Sequence, residues 1–242
     1  PVGQTTADGQ GNWSVTPSTP LPNGSTVTVV ATDAAGNPSQ GTSTVVDSSA
    51  PSTPLVNPSN GTSLSGTGEE GSTLVFTDGS GNTLGQTTVG AGGAWSFTPH
   101  QPLADGTVVT VVAKDAAGNQ SGTVQVTVDA IAPANPTLDA SNGLVLSGTG
   151  EIDSTVIISV AGSEVARAVV GSDGHWSYTP GSQLANNTNV SVVAVDAAGN
   201  SSQTVSGVID GVAPPTPTIL PSEGLTFSGT AEAGATVILT DA

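Results

Sequence analysis

Apolar and polar positions alternate along most of the chain. Between residues 48 and 129, Val124, Val126 and Val128 alternate with Thr and Gln residues, which is the period-two pattern of a strand buried on one face. Other β-branched runs share this character, and no segment has a helical period. The pattern predicts seven strands, named A to G, at residues 52–56, 63–68, 72–78, 83–89, 94–99, 107–115 and 123–129.

Turn signals separate the predicted strands, for example "SNG" at 59–61, "GSGN" at 79–82 and "LADG" at 103–106. Seven short strands in about 80 residues are typical of an immunoglobulin-like sandwich. The sequence therefore predicts an all-β fold made of tandem immunoglobulin-like seven-stranded β-sandwiches. Trp95 opens strand E and is expected to pack in the core rather than to stack on a sugar.

The same pattern returns along the chain in steps of 82 and 81 residues. The sequence "DAAGN" begins at Asp33, Asp115 and Asp196, and the three tryptophans keep the same steps. A fixed period is a stronger sign of architecture than composition. It divides the chain into the C-terminal half of a repeat (1–47), two complete repeats (48–129 and 130–210) and the N-terminal half of a repeat (211–242).

The two half-repeats complement each other. Residue 1 corresponds to Thr83 and residue 242 to Gly79, so together the halves make one repeat that lacks about three residues of the C–D turn. One interpretation is that the chain is a piece of a longer array, in keeping with the absence of Met. The alternative is head-to-tail complementation between molecules, because each half exposes strand edges and half a core.

Composition narrows the function classes. The chain has 19 acidic and two basic residues, a net charge of −17 and no Cys. Nucleic-acid binding and polybasic attachment to lipid need Lys or Arg, so neither is expected. No apolar run approaches the roughly 20 residues that span a bilayer, so direct membrane insertion is not expected either. Small domains without disulfides often need another staple, and a metal is one option.

The acidic residues recur in particular loops. Because the strands alternate in direction, Asp115 in the F–G loop, Glu69 in the B–C loop and Asp47 in the preceding linker are expected to converge where the chain enters the sandwich. The same reasoning at every repeat gives the candidate metal ligands Asp33, Asp47, Glu69, Asp115, Asp129, Glu151, Asp196, Asp210 and Glu232. Additional candidates are Glu70, Asp78, Asp105 and Asp153.

Clustered carboxylates repel each other unless a cation joins them. Calcium accepts six to eight oxygen ligands in loose geometry, whereas no His or Cys recurs that would favour zinc. The sequence therefore predicts Ca²⁺ at the junctions between repeats. The alternative interpretation is that each Asp only caps a nearby backbone N–H at a turn.

Five short motifs together resemble a known family. The motifs "SGTGE", "G.WS.TP", "PLADGT", "DAAGN" and "VD..AP" are similar to the bacterial Ig-like repeats of giant adhesins. These adhesins, among them RTX and biofilm-associated proteins, are exported by type I secretion. The resemblance implies an extracellular array on the bacterial cell surface, in which calcium stiffens the contacts between neighbouring repeats. Such an array acts as a structural extender that supports cell adhesion and biofilm formation.

Two other function classes compete with this interpretation. Catalysis is not expected, because His100 and His175 occupy different repeat positions and no phosphate loop or zinc signature is present. A module that binds glycans or a host receptor through its loops is the alternative. That function would favour loops that differ from repeat to repeat, whereas these loops are alike.

Overall fold

The computed structural model describes residues 1–241, and these residues form strands and turns without any helix. None of them therefore forms a helix that could cross a membrane. The chain divides into two compact units, Pro1–Ala130 and Ile131–Ala242. The predicted half-repeat 211–242 ends at a residue outside the described range.

The first unit contains nine strands. They are β1 (Thr26–Val29), β2 (Thr42–Val45), β3 (Leu55–Val56), β4 (Leu64–Thr67), β5 (Thr73–Asp78), β6 (Thr83–Thr88), β7 (Ala94–Phe97), β8 (Val108–Lys114) and β9 (Val124–Thr127). Strands β3 to β9 correspond to predicted strands A to G. They form two antiparallel sheets, ordered β3-β4-β7 and β6-β5-β8-β9. The predicted fold class is confirmed.

The second unit repeats this arrangement. Its strands are β10 (Leu146–Thr149), β11 (Thr155–Val160), β12 (Ser163–Val169), β13 (His175–Tyr178), β14 (Asn189–Val195) and β15 (Val205–Val208). Strand β10 pairs with β13, and the other sheet has the order β12-β11-β14-β15. The chain at the position of strand A still lies beside β10, because the Thr137 N–H donates to the Thr149 carbonyl at 2.8 Å.

Each complete repeat has its own apolar core. The alternation in β8 buries Val109, Val111 and Ala113 completely. In the first core Phe76 stacks on Phe97 with 4.3 Å between ring centroids, and Trp95 is 5% exposed. The prediction that Trp95 packs in the core is confirmed. The second core is built in the same way around Leu146, Val156, Ile158, Val170, Trp176, Val190 and Val192.

The glycine of "SGT" lets two elements approach each core tryptophan. A Cβ atom on Gly66 would lie 2.0 Å from the Leu55 carbonyl oxygen and 2.8 Å from the Trp95 ring. On Gly148 it would lie 2.0 Å from the Thr137 oxygen. Only glycine therefore fits between strand A and the tryptophan.

The two terminal segments lack such a core. In residues 1–47 the strands β1 and β2 form a hairpin, and Trp13 is 54% exposed. In residues 211–241 the chain follows the path of strands A and B, because the Thr218 N–H donates to the Thr230 carbonyl at 2.8 Å. Leu225 and Ile238 are almost fully exposed there. Each segment therefore presents an open apolar face.

Candidate functional site: the linker and the loops that hold it

The "DAAGN" loop is a self-contained turn. Asp33 Oδ1 accepts the Asn37 backbone N–H at 2.8 Å, and Asp33 Oδ2 accepts the Asn37 amide at 2.9 Å. Gly36 takes a φ of +90°, which an L side chain rarely adopts. Asp115 and Asp196 make the same two contacts, with Asn119 and Asn200 respectively. The aspartate caps the turn, as the alternative interpretation expected.

The same turn occurs in two other loops, whose likeness to "DAAGN" the sequence analysis did not predict. "DGQGN" at 8–12 lies in a D–E loop, and "DGSGN" at 78–82 lies in a C–D loop. Asp78 repeats both contacts, with the Asn82 backbone and amide each at 2.9 Å. Asp8 accepts the Asn12 backbone N–H at 2.9 Å. The spacing Asp-x-x-Gly-Asn was the visible signal, and its use in three loop types identifies it as a local turn device.

Hydrogen bonding lowers the pKa of four of the turn aspartates. The Asn37, Asn82 and Asn119 side-chain amides are the largest influence that lowers the pKa of Asp33, Asp78 and Asp115, respectively, below the ordinary value. For Asp8 the Asn12 backbone N–H is the largest influence that lowers the pKa. In each case donors favour the charged form of the acceptor.

The linker is the chain between the last strand of one repeat and the first strand of the next. The E–F loop holds the start of each linker. Asn23 Oδ1 accepts the Ser48 N–H at 2.8 Å. The equivalent Asp105 Oδ1 accepts the Ala130 N–H at 2.9 Å, and Asn186 Oδ1 accepts the Gly211 N–H, also at 2.9 Å. Two amides and one carboxylate thus make the same contact at equivalent positions.

The B–C and F–G loops also contact the linker. Glu69 Oε2 accepts the Ser52 N–H at 3.0 Å, and the equivalent Glu151 Oε2 accepts the Ala134 N–H at 3.2 Å. The Asn119 amide donates to the Asp47 backbone carbonyl at 3.1 Å. Both loops therefore meet the linker, as the alternation of strand directions predicted.

The remaining candidate ligands make contacts within their own repeat or linker. Asp47 Oδ1 and Asp210 Oδ1 accept N–H groups two residues ahead, at 3.0 and 3.1 Å. Asp153 has a φ of +66° in the turn between β10 and β11. The Asp129 backbone N–H donates to the Ser59 carbonyl, and the Glu232 carbonyl accepts the Ala235 N–H. Glu70 Oε2 accepts the Gly92 N–H at 3.4 Å.

The contacts of the carboxylates can be compared with the prediction that they bind calcium. In residues 1–241, no three His, Asp or Glu side chains lie close enough together to hold a metal ion. Both oxygens of Asp115 accept hydrogen bonds from Asn119, and Glu69 accepts one from the linker. The carboxylates as arranged here thus do not fit a preformed calcium cage. Calcium binding at the junctions stays a prediction.

The repeated sandwich, with turns of one design, defines a tandem immunoglobulin-like protein. The family model of the bacterial Ig domain matches residues 1–48, 50–130 and 132–209. The chain belongs to the bacterial Ig domain family. The sequence matches no curated protein.

Several solved structures are similar to parts of the chain. The biofilm-associated protein BSP domain is 19% identical, with a TM-score of 0.32, and the match covers 67% of this chain and 30% of that one. The fibronectin(III)-like modules of Clostridium thermocellum CbhA are 19% identical over 66% of this chain and 88% of that one, with a TM-score of 0.35. A two-domain fibronectin type III segment of chicken tenascin is 14% identical over 67% and 99%, with a TM-score of 0.27. The family match, and not these structures, identifies the chain.

Proposed function

We propose that the chain is an extender segment of a large bacterial surface adhesin, outside the cell, where it supports adhesion and biofilm formation. The observation that carries this proposal is that side chains of the adjoining loops hold the linker backbone. Ser48 is bound by Asn23 of the preceding repeat, and Ser52 is bound by Glu69 of the following one. A linker that is held from both sides resists bending, which is what a spacer requires.

The linker sequence adds to this stiffness. Pro51 and Pro133 are buried at equivalent positions, and proline fixes its own φ near −65°. Bacterial Ig domains are structural modules as a class, and we propose no enzymatic activity for this chain. Repeated use of one turn design in loops of different repeats favours a structural role over loop-mediated glycan or receptor binding.

Calcium is a second part of the proposal. Asp47, Glu69 and Asp115 belong to elements that meet at one linker, and the net charge of −17 favours cation binding. A bound ion would require these carboxylates to exchange some of their N–H donors for the metal. Extracellular modules bind calcium with dissociation constants of about 10⁻⁴–10⁻³ M, so millimolar calcium is the relevant concentration.

Small-angle scattering and thermal melting of the chain test this function. We expect a larger radius of gyration and a higher Tm in millimolar calcium than in excess chelator. If neither value changes, calcium stiffening is wrong. If the scattering is that of freely jointed repeats under both conditions, the extender function is wrong. Specific binding of the chain to a glycan array would favour the alternative function.

The exposed apolar faces of the two terminal segments favour binding to a second copy of this chain. Gly229 is equivalent to Gly66 and Gly148, which face Trp95 and Trp176. Trp13 is equivalent to these tryptophans and is largely exposed. We propose that residues 1–47 of one copy cover the groove of about 500 Å³ lined by Ile219, Phe227, Gly229, Val237 and Leu239 of another.

Sedimentation of the 242-residue chain over a concentration series tests this head-to-tail complementation. We expect concentration-dependent association that Trp13→Ala weakens. A Leu55→Ala variant is the matched control, because Leu55 is also exposed but belongs to a complete repeat. A chain that stays monomeric at high concentration would exclude this partner.

A further inference from the structure

At the start of each linker, one side chain accepts a backbone N–H. A comparison of these side chains shows whether their charge or their acceptor oxygen is the shared property. Asn23, Asp105 and Asn186 are equivalent, and each accepts a linker N–H at 2.8–2.9 Å. A calcium ligand at this position would be favoured by a negative charge, whereas a hydrogen-bond acceptor needs only an oxygen in the right place. The exchange of a carboxylate for an amide without loss of the contact indicates that acceptance is the shared role.

The contacts at the ends of the linkers also indicate that the side chain acts as a hydrogen-bond acceptor. Proline has no N–H, so the first donor after Pro51 is Ser52, and the first after Pro133 is Ala134. Glu69 and Glu151 each place one carboxylate oxygen on that donor. The proline ring is buried in both cases. The glutamate therefore binds the backbone at the point where proline anchors the linker.

The F–G loop supplies the third contact. The Asn119 amide nitrogen is 2.7 Å from Asp115 Oδ2 and 3.1 Å from the Asp47 carbonyl oxygen. Asp115 thus orients the Asn119 amide, and Asn119 binds the linker. The bound group of Asp47 is its backbone carbonyl, which any residue provides. The recurrent acids and amides around the linker act on its backbone.

We propose that, in the absence of a metal ion, the linker of the first unit is fastened by a hydrogen-bond clasp formed by Asn23, Glu69 and Asn119. This inference rests on the proposed spacer function and names the residues that provide its stiffness. Each clasp residue touches the linker through one polar atom: Asn23 Oδ1, Glu69 Oε2 and Asn119 Nδ2.

Amide substitution separates the clasp from a metal site. Glu69→Gln keeps an acceptor oxygen and removes the charge, whereas Glu69→Ala removes both. The clasp predicts that Gln behaves like the wild type, and a calcium site predicts that Gln behaves like Ala. Glu70 is the matched control, because it neighbours Glu69 but contacts Gly92 instead of the linker. Asp105→Asn and Asp105→Ala repeat the comparison at the Ala130 N–H.

Amide hydrogen exchange of the full chain, measured by NMR in chelator and in millimolar calcium, reads out the clasp. We expect protection of Ser52 in chelator for the wild type and Glu69→Gln, and a loss of about 3- to 10-fold in Glu69→Ala, as for one hydrogen bond. Unchanged protection of the β5 and β8 amides shows that each variant is folded. The control variants Glu70→Gln and Glu70→Ala should leave the protection of Ser52 unaffected.

Two results would overturn the clasp: protection of Ser52 that appears only with calcium, or Glu69→Gln that loses as much protection as Glu69→Ala. The small-angle scattering experiment tests the spacer function independently of the clasp. A protected Ser52 in a freely jointed chain would leave the clasp in place and reject the spacer. A stiff chain without protection at Ser52 would do the reverse.

Discussion

The half-repeat 1–47 and the complete repeat 48–129 carry equivalent residues in different surroundings. Trp13 is 54% exposed, whereas its equivalent Trp95 is 5% exposed. Val29 lies at the surface, whereas its equivalent Val111 is fully buried. The half-repeat carries the counterparts of β6 to β9, which belong to both sheets, but not those of β3, β4 and β5. Burial is therefore a property of the complete sandwich.

Local structure, in contrast, is the same in both regions. Strand β1 pairs with β2 in the register Thr26↔Val45, and β8 pairs with β9 in the equivalent register Val108↔Thr127. The turn after each first strand is closed by the same aspartate and asparagine contacts. The turn and the strand register are thus the same with and without a closed core.

The largest difference between the half-repeat and the complete repeat is expected when their equivalent tryptophans are substituted. Trp95→Ala removes the largest side chain of a closed core and should lower the free energy of unfolding by about 3–5 kcal/mol. Trp13→Ala, made at the equivalent position, should change it by less than about 0.5 kcal/mol in the monomer. Urea denaturation at low protein concentration measures both. Equal losses for the two variants would show that residues 1–47 are packed in solution.

A smaller effect is expected at the glycine of strand β4. Gly66→Ala forces a methyl group against the Leu55 carbonyl and the Trp95 ring, and overpacking of this kind costs about 1–3 kcal/mol. Gly181→Ala is the control, because nothing lies within 4 Å of its Cβ position and its φ is not positive. Thermal melting should separate the two variants. A harmless Gly66→Ala would mean that strand A is not held against β4.

The smallest effect concerns pH. The Asn37 and Asn119 side-chain amides lower the pKa of Asp33 and Asp115, respectively, below the ordinary value. A lowered pKa stabilises the fold above the unfolded value, and this contribution is lost as pH falls through the folded pKa. NMR titration should find a lowered pKa in the half-repeat and in the complete repeat alike, and Asn37→Ala and Asn119→Ala should raise it. A lowered pKa at Asp115 alone would show that the turn depends on the core.

Sequence alternation predicted the strands well because each strand buries one face. The least regular was strand A, predicted over 52–56 and found as Leu55–Val56, because two prolines precede it and cannot donate to a ladder. The convergence of the Glu69 and Asp115 loops on the linker also followed from the predicted topology. The role of the acids did not follow, because a carboxylate serves equally as a metal ligand and as an acceptor for N–H groups. That choice depends on distances of a few tenths of an ångström.

The short pairing of β3 has a mechanical consequence. Only two residue pairs join β3 to β4, whereas six join β5 to β8. We expect a tensile load on the linker to break the clasp contacts and then the few bonds of β3, while the four-stranded sheet stays intact. Freeing residues 48–56 would release chain at up to about 3.4 Å per residue. The repeat 48–129 would then absorb a sudden pull by a small reversible extension before its core opens.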